Sequence, residues 1–159
     1  MEREAIITAV KQFLDDAHVK YRTKTNPDGH CIFHTRMRMP NSSKSVAQTI
    51  DIRETHMAIY AHFPIKAAPE HIAETAKFLA LANYDLLLGN FDLDMETGNI
   101  RYRHFLECGG FEALPEEVLC RHCPIPAVML GRYGDAIAAV ATGRSDAESA
   151  FAEAKSKGI

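Results

Sequence analysis

The stretch from Asn83 to Arg103, reading N-Y-D-L-L-L-G-N-F-D-L-D-M-E-T-G-N-I-R-Y-R, admits few folds. Leu87, Phe91 and Leu93 alternate with Leu88, Asn90 and Asp92; beyond Met95-Glu96-Thr97-Gly98, Ile100, Tyr102 and His104 alternate with Arg101, Arg103 and Phe105. A period of two marks half-buried strands. The interruption predicts a hairpin turn in which Gly98 takes the left-handed conformation. Asp94 then faces Asn99, which sets Leu93 opposite Ile100 and Phe91 opposite Tyr102 on one apolar face. Asp92 falls opposite Arg101 on the other face, where opposite charges across a strand pair contribute about 0.2–1 kcal/mol. The same register sets Leu88 opposite Phe105, two large apolar groups on a nominally polar face.

The rest of the chain is read around this hairpin. Ile6, Val10, Phe13, Leu14 and Ala17 share a helical face, so an amphipathic helix comes first. Alternation begins at Val19 and runs to Thr25, Asn26-Pro27-Asp28-Gly29 turns the chain, and Cys31, Phe33, Thr35, Met37 and Met39 form the inward side of a second strand. The polar run Pro40–Ser45 is expected to be a mobile loop. Val46, Ile50 and Ile52, then Met57, Ile59, Ala61 and Phe63, predict two further strands joined at Glu54-Thr55. After Pro64 and Pro69, a helix with Ile72, Ala76, Leu79 and Ala80 on its buried face ends near Asn83 and delivers the hairpin. Pro115 opens another helical segment, which Pro124 and Pro126 interrupt. Leu130, Tyr133, Ile137 and Val140 then share a face, Gly143 suits a helix end, and Ser145 with Glu148 reads as a capping box.

The order is thus α-β-β-β-β-α-β-β-α-α. It predicts an α+β fold, a mainly antiparallel sheet of about five to six strands with helices packed on one face. At 159 residues without a linker or internal repeat, one domain spanning 1–159 is expected.

Asn83-Tyr84, Leu86, Leu88-Gly89-Asn90-Phe91, Leu93-Asp94 and Gly98 with Ile100-Arg101-Tyr102-Arg103 together resemble the central signature of the YbjN-like bacterial family. That resemblance is sharp from about Ala73 to Arg103, only pattern-level before it and loose after Gly109. Members are described as sensory-transduction regulators, with a fold similar to type III secretion chaperones. The resemblance implies that architecture and a non-enzymatic regulator; its motif carries no catalytic residue.

The residues themselves agree with a non-enzymatic reading. Cys120-Arg121-His122-Cys123 is the one arrangement suited to thiol exchange or half a metal site. It lies near the negative end of its helix, where the dipole disfavours a thiolate, and no second Cys-x-x-Cys supplies the remaining ligands. His30, His34, His56 and His62 fall on corresponding sides of strands, without a paired acid or cysteine at ligand spacing. No nucleophile elbow and no phosphate loop is present in the sequence. No catalytic residue, metal or cofactor is therefore expected.

Neither a span long enough for a membrane nor a basic-then-apolar leader opens the chain, and the four cysteines make no disulfide framework, so a cytoplasmic protein is expected. Lys20, Arg22, Lys24, Arg36, Arg38 and Arg103 are expected on the outward sheet face, where Tyr60 joins them. Such a face suits single-stranded nucleic acid, but it more often serves as a solvated surface, and a net charge of −3 weighs against that ligand. Leu88, Phe105 and Tyr60 are instead the expected partner-binding residues, covered either by the chain's own C-terminal helix or by a second copy in a homodimer. A small-ligand pocket between sheet and helices, lined by Phe33, Met37, Phe91 and Tyr102, is the alternative; the same residues also suit plain core.

Overall fold

The computed structural model describes residues 1–39 and 44–158. The elements are α1 (Arg3–Asp16), β1 (Tyr21–Thr25), β2 (Cys31–Arg38), β3 (Ser45–Ile52), β4 (His56–His62), α2 (Ile72–Tyr84), β5 (Asn90–Leu93), β6 (Ile100–Glu107), α3 (Glu116–His122), α4 (Ile125–Ala141) and α5 (Ala147–Ser156). All six strands form one antiparallel sheet in the order β1-β2-β3-β4-β6-β5. The α+β class holds, with one more C-terminal helix than the expected order. Three helices result because Pro124 and Pro126 divide α3 from α4, and Gly143 at φ +72° ends α4 before α5. Residues 40–43 of the run expected as a mobile loop lie outside the described residues.

Strand register sorts side chains into two faces. Phe33, Ile50, Ile59 and His104 form one row of the inner face, and Gln48, Ala61, Tyr102 and Phe91 form another. Helices pack on this face in two groups. Ile6, Val10 and Leu14 of α1 join Leu119 of α3 over Phe33, Ile50 and Ile59. Phe78 and Leu79 of α2, with Tyr133 and Ile137 of α4, cover Ala61, Phe91 and Tyr102. Phe91 meets Tyr102 edge-on at 4.9 Å and Tyr133 at 5.4 Å, contacts that contribute about 0.5–1.5 kcal/mol each beyond area burial. Between the two groups, buried Gln48 donates from Nε2 to the Cys123 carbonyl at 3.1 Å and ties the sheet to the α3–α4 junction.

The hairpin has the expected register: Leu93 pairs with Ile100, Asp92 with Arg101 and Phe91 with Tyr102. Gly98 sits at φ +70°, and an added Cβ would lie 2.3 Å from the Ala67 carbonyl oxygen. Asp94 closes the turn by accepting from the amides of Glu96 and Thr97.

Several local expectations shift. The first hairpin arm begins at Asn90, not Leu87, because Gly89 turns at φ +74° and leaves Leu87 98% exposed. Leu88 consequently has no strand partner, and Phe105 pairs with Ala58 of β4 instead. β1 begins at Tyr21, since His18 at φ +53° and the Val19 amide bound to the Leu14 carbonyl still belong to the end of α1. The buried face of α2 is Thr75, Phe78, Leu79 and Ala82, with Ala80 exposed, because α2 packs against α4, α5 and β5 together. Asp146, not Ser145, caps α5: its carboxylate accepts from the Ser149 amide at 2.8 Å, while Glu148 pairs with Lys77.

Candidate functional site

The helices that contact the sheet lie over its inner face, and no helix among the described residues covers the outer face. The C-terminal helices α4 and α5 pack on α2 and one another, with α4 reaching the inner face of β3, β4 and β6. They do not cover Leu88 and Phe105, which remain 52% and 53% exposed. Among the described residues α4 borders Leu88 through a groove that includes Ile125 and Val128, and leaves it half exposed.

The loop carrying Leu88 is held from below. Tyr102 donates its hydroxyl proton to the Leu88 carbonyl, and Asn83 at the end of α2 grips the backbone of Phe91 with both side-chain amide atoms. A side chain at Gly89 would strike the Arg103 carbonyl oxygen at 2.4 Å and the Tyr102 ring at 2.8 Å. These constraints project Leu87 and Leu88 beside the outer face. Leu88, Phe105 and Tyr60 border one depression of about 510 Å³, so three residues with no common sequence spacing share a surface. The Phe105 ring leans on His56 at 5.0 Å. Tyr60 lies under the Arg101 guanidinium at 4.4 Å, and Arg101 in turn donates from Nε to Asp92 at 3.0 Å. Tyr84, the last residue of α2 before this loop, is 91% exposed.

The expected pocket residues divide between the two helical groups. Phe91 and Tyr102 are interior to one group, with Met37 packed against it, whereas Phe33 is interior to the other and meets Tyr21 at 5.4 Å. Met37 borders an open notch at the β1–β2 end of the sheet.

Cys120 is exposed in the last turn of α3, and Cys123 is buried just beyond it. Burial, followed by the neighbouring Cys120 and Cys108, pushes the Cys123 thiol up to about 12. Cys108, which lies just past β6 rather than on a strand, is pushed up to about 11, again chiefly by burial. Neither buried thiol is poised as a nucleophile. Glu74, Asp146 and Glu148 gather at the start of α5, the one such group of potential metal ligands among the described residues. Each is already engaged: Glu74 accepts from the Ala147 amide at 2.7 Å, Asp146 caps the helix and Glu148 pairs with Lys77.

Periodicity does not reveal the pairing of His104 with His122. Nε2 of His104 lies 2.7 Å from Nδ1 of His122, with the rings stacked at 5.0 Å. His104 is 2% exposed, and burial first, His122 second, pushes its pKa down to about 4. The alternation placed His104 inward, but its partner is on a separate helix whose path no local spacing encodes.

No helix among the described residues is long and apolar enough to cross a membrane. A family model described as "YbjN: Putative bacterial sensory transduction regulator" matches residues 7–119, from α1 through the whole sheet and into α3. No curated protein and no solved structure matches the chain.

Proposed function

The chain belongs to the YbjN family, and from that membership we propose that it is a non-enzymatic regulatory or chaperone-like protein that binds another protein and works as a homodimer. The observation that carries this reading is the uncovered apolar surface at Leu88 and Phe105, continued by Leu87, beside a sheet face that no helix of the chain protects. Isolated exposed apolar residues are ordinary, but a contiguous group rimmed by polar side chains marks an interaction surface. Here the rim is Asn90, Arg103 and Arg53. Burying that patch against its symmetry mate withdraws both leucines and the phenylalanine from water without leaving an unpaired charge at the centre. Four free thiols support placing this activity in the cytoplasm.

Native mass spectrometry and sedimentation of the purified full chain test the proposal. A dimer is expected for the wild type, and monomers for Leu88→Asp and Phe105→Asp with unchanged circular dichroism. A wild type that stays monomeric at high concentration, or a dimer indifferent to both substitutions, overturns it.

A further inference from the structure

The sheet has two edges, and they are finished differently. At the β5 edge, Asn83 satisfies both the N–H and the C=O of Phe91. At the other edge the Thr35 hydroxyl donates to the Lys20 carbonyl at 3.0 Å, but among the described residues no side chain does the same for the backbone of Arg36, Met37 or Arg38. β1 stops at Tyr21, opposite Thr35, because the chain turns away into α1 through His18 at φ +53°. Arg36, Met37 and Arg38 of β2 are therefore paired with β3 on one side and have no strand on the other. A notch results, where a length of strand backbone is left without a strand partner among the described residues.

The notch is strongly cationic. Lys20, Arg22, Arg36 and Arg38 border it, with Asp15 the one carboxylate among its lining residues. Arg36 is held in place through Ser45, from Nε to the hydroxyl at 3.0 Å and from Nη2 to the carbonyl at 2.9 Å, contacts that leave its charge unneutralised. Lys20, Arg22 and Arg38 form no ion pair with another described residue. Acidic groups elsewhere on the outer face are already committed: Asp92 to Arg101, and Asp51 to Arg53. The inner side of the same notch is apolar, with half-buried Val19, Tyr21 and Met37.

We infer that this notch is a docking site for an extended, acidic segment of a partner protein, which adds to the sheet as a strand beside Arg36–Arg38. In an added strand, alternate side chains point to opposite faces. One set meets Arg22, Arg36 and Arg38, and the other meets Val19 and Met37, so the segment that fits alternates carboxylates with aliphatic residues. A second copy of this chain does not fit: pairing one copy's cationic edge with another's sets like charges directly opposite one another. Single-stranded nucleic acid fits less well at this notch, since the one aromatic ring that lines it, Tyr21, packs on Phe33, and Tyr60 on the same sheet face is covered by Arg101. The site shares no residue with the Leu88–Phe105 surface and stands independently of it.

A fluorescent peptide alternating glutamate and valine is titrated against the full chain by anisotropy, beside a lysine–valine peptide, an oligoglutamate and an oligouridine. The glutamate–valine peptide is expected to bind best, with affinity falling as salt rises, and to weaken by about tenfold or more in Arg36→Glu/Arg38→Glu. Arg132→Glu on α4 serves as the control and is expected to bind normally. In wild-type protein, amide shifts at Arg36, Met37 and Arg38 are expected to lead the response, which requires no variant to fold. Equal or tighter binding of oligoglutamate or oligouridine, indifference to the double reversal, or amide shifts confined to other strands overturns the proposal.

Discussion

Asn83 and Phe91 are locked together by two hydrogen bonds: the Asn83 Nδ2 donates to the Phe91 carbonyl at 3.0 Å, and the Phe91 amide donates to Asn83 Oδ1 at 2.7 Å. The side chain thus imitates a neighbouring strand at the β5 edge while joining α2 to the sheet. Removing it leaves a part-buried amide without a partner, which costs about 1–3 kcal/mol. Asn83→Ala is expected to lower Tm by several degrees and to accelerate hydrogen exchange at the Phe91 amide. Asn83→Asp keeps the acceptor for the Phe91 amide but sets a carboxylate oxygen against the Phe91 carbonyl, so it is not expected to restore wild-type stability. A wild-type melting curve for Asn83→Ala would refute this role.

Gly89 holds the approach of the Leu88 loop to β6. Its φ of +74° and the contact an added Cβ would make with the Arg103 carbonyl oxygen at 2.4 Å both oppose any side chain. Gly89→Ala is expected to cost about 1–3 kcal/mol or more. Gly110→Ala, where a Cβ meets nothing within 4 Å, is the matched control and should stay within about 0.5 kcal/mol of wild type. Chemical denaturation distinguishes the two.

The four thiols differ by access. Cys120 is exposed, whereas Cys31, Cys108 and Cys123 are buried, and burial raises all three of the latter thiol pKa values. Brief iodoacetamide treatment of native protein is expected to modify Cys120 alone, with the other three reacting once urea unfolds the chain. Rapid native modification of Cys123, read by peptide mass spectrometry, would contradict the packing at the α3–α4 junction.

His104 gives stability a pH dependence with a defined sign. Burial and His122 hold its folded pKa near 4, against 6.5 in the unfolded chain. Between those values the unfolded state binds more protons, so stability falls as pH drops from about 6.5 towards 4 and levels off below. His122, lowered by burial and then by Arg121, acts in the same direction. The His104 share at pH 5 is on the order of 2 kcal/mol. Urea midpoints at pH 7 and pH 5 should differ more for wild type than for His104→Gln; equal differences would remove His104 as the source.

How much of this was legible in the chain varies from one element to another. The Asp92–Arg101 and Phe91–Tyr102 pairs followed from a turn and a two-residue period, because hairpin register is a local matter. Leu87 was misplaced because a positive φ at Gly89 ends the strand abruptly, and alternation alone does not register a backbone turn. The face of α2 was offset because it is set by three packed neighbours rather than by apolar period. For the candidate surface, Leu88, Phe105 and Tyr60 could each be singled out as large groups on polar sides of strands. That they border one depression depends on β6 lying between β4 and β5, an order that no adjacent residues encode.

By itself the sequence determined the strands and their turns, the inward and outward sides, the helix breaks at Pro124, Pro126 and Gly143, and the family signature, since each depends on steric or periodic rules acting over a few residues. The tertiary structure alone decided that the helices contacting the sheet share one face, that Leu88 and Phe105 stay half exposed, that His104 meets His122, and that one sheet edge is closed by Asn83 while the other is open among the described residues. Those outcomes depend on contacts between residues far apart in the chain, where packing and chain path, rather than local propensity, select the arrangement.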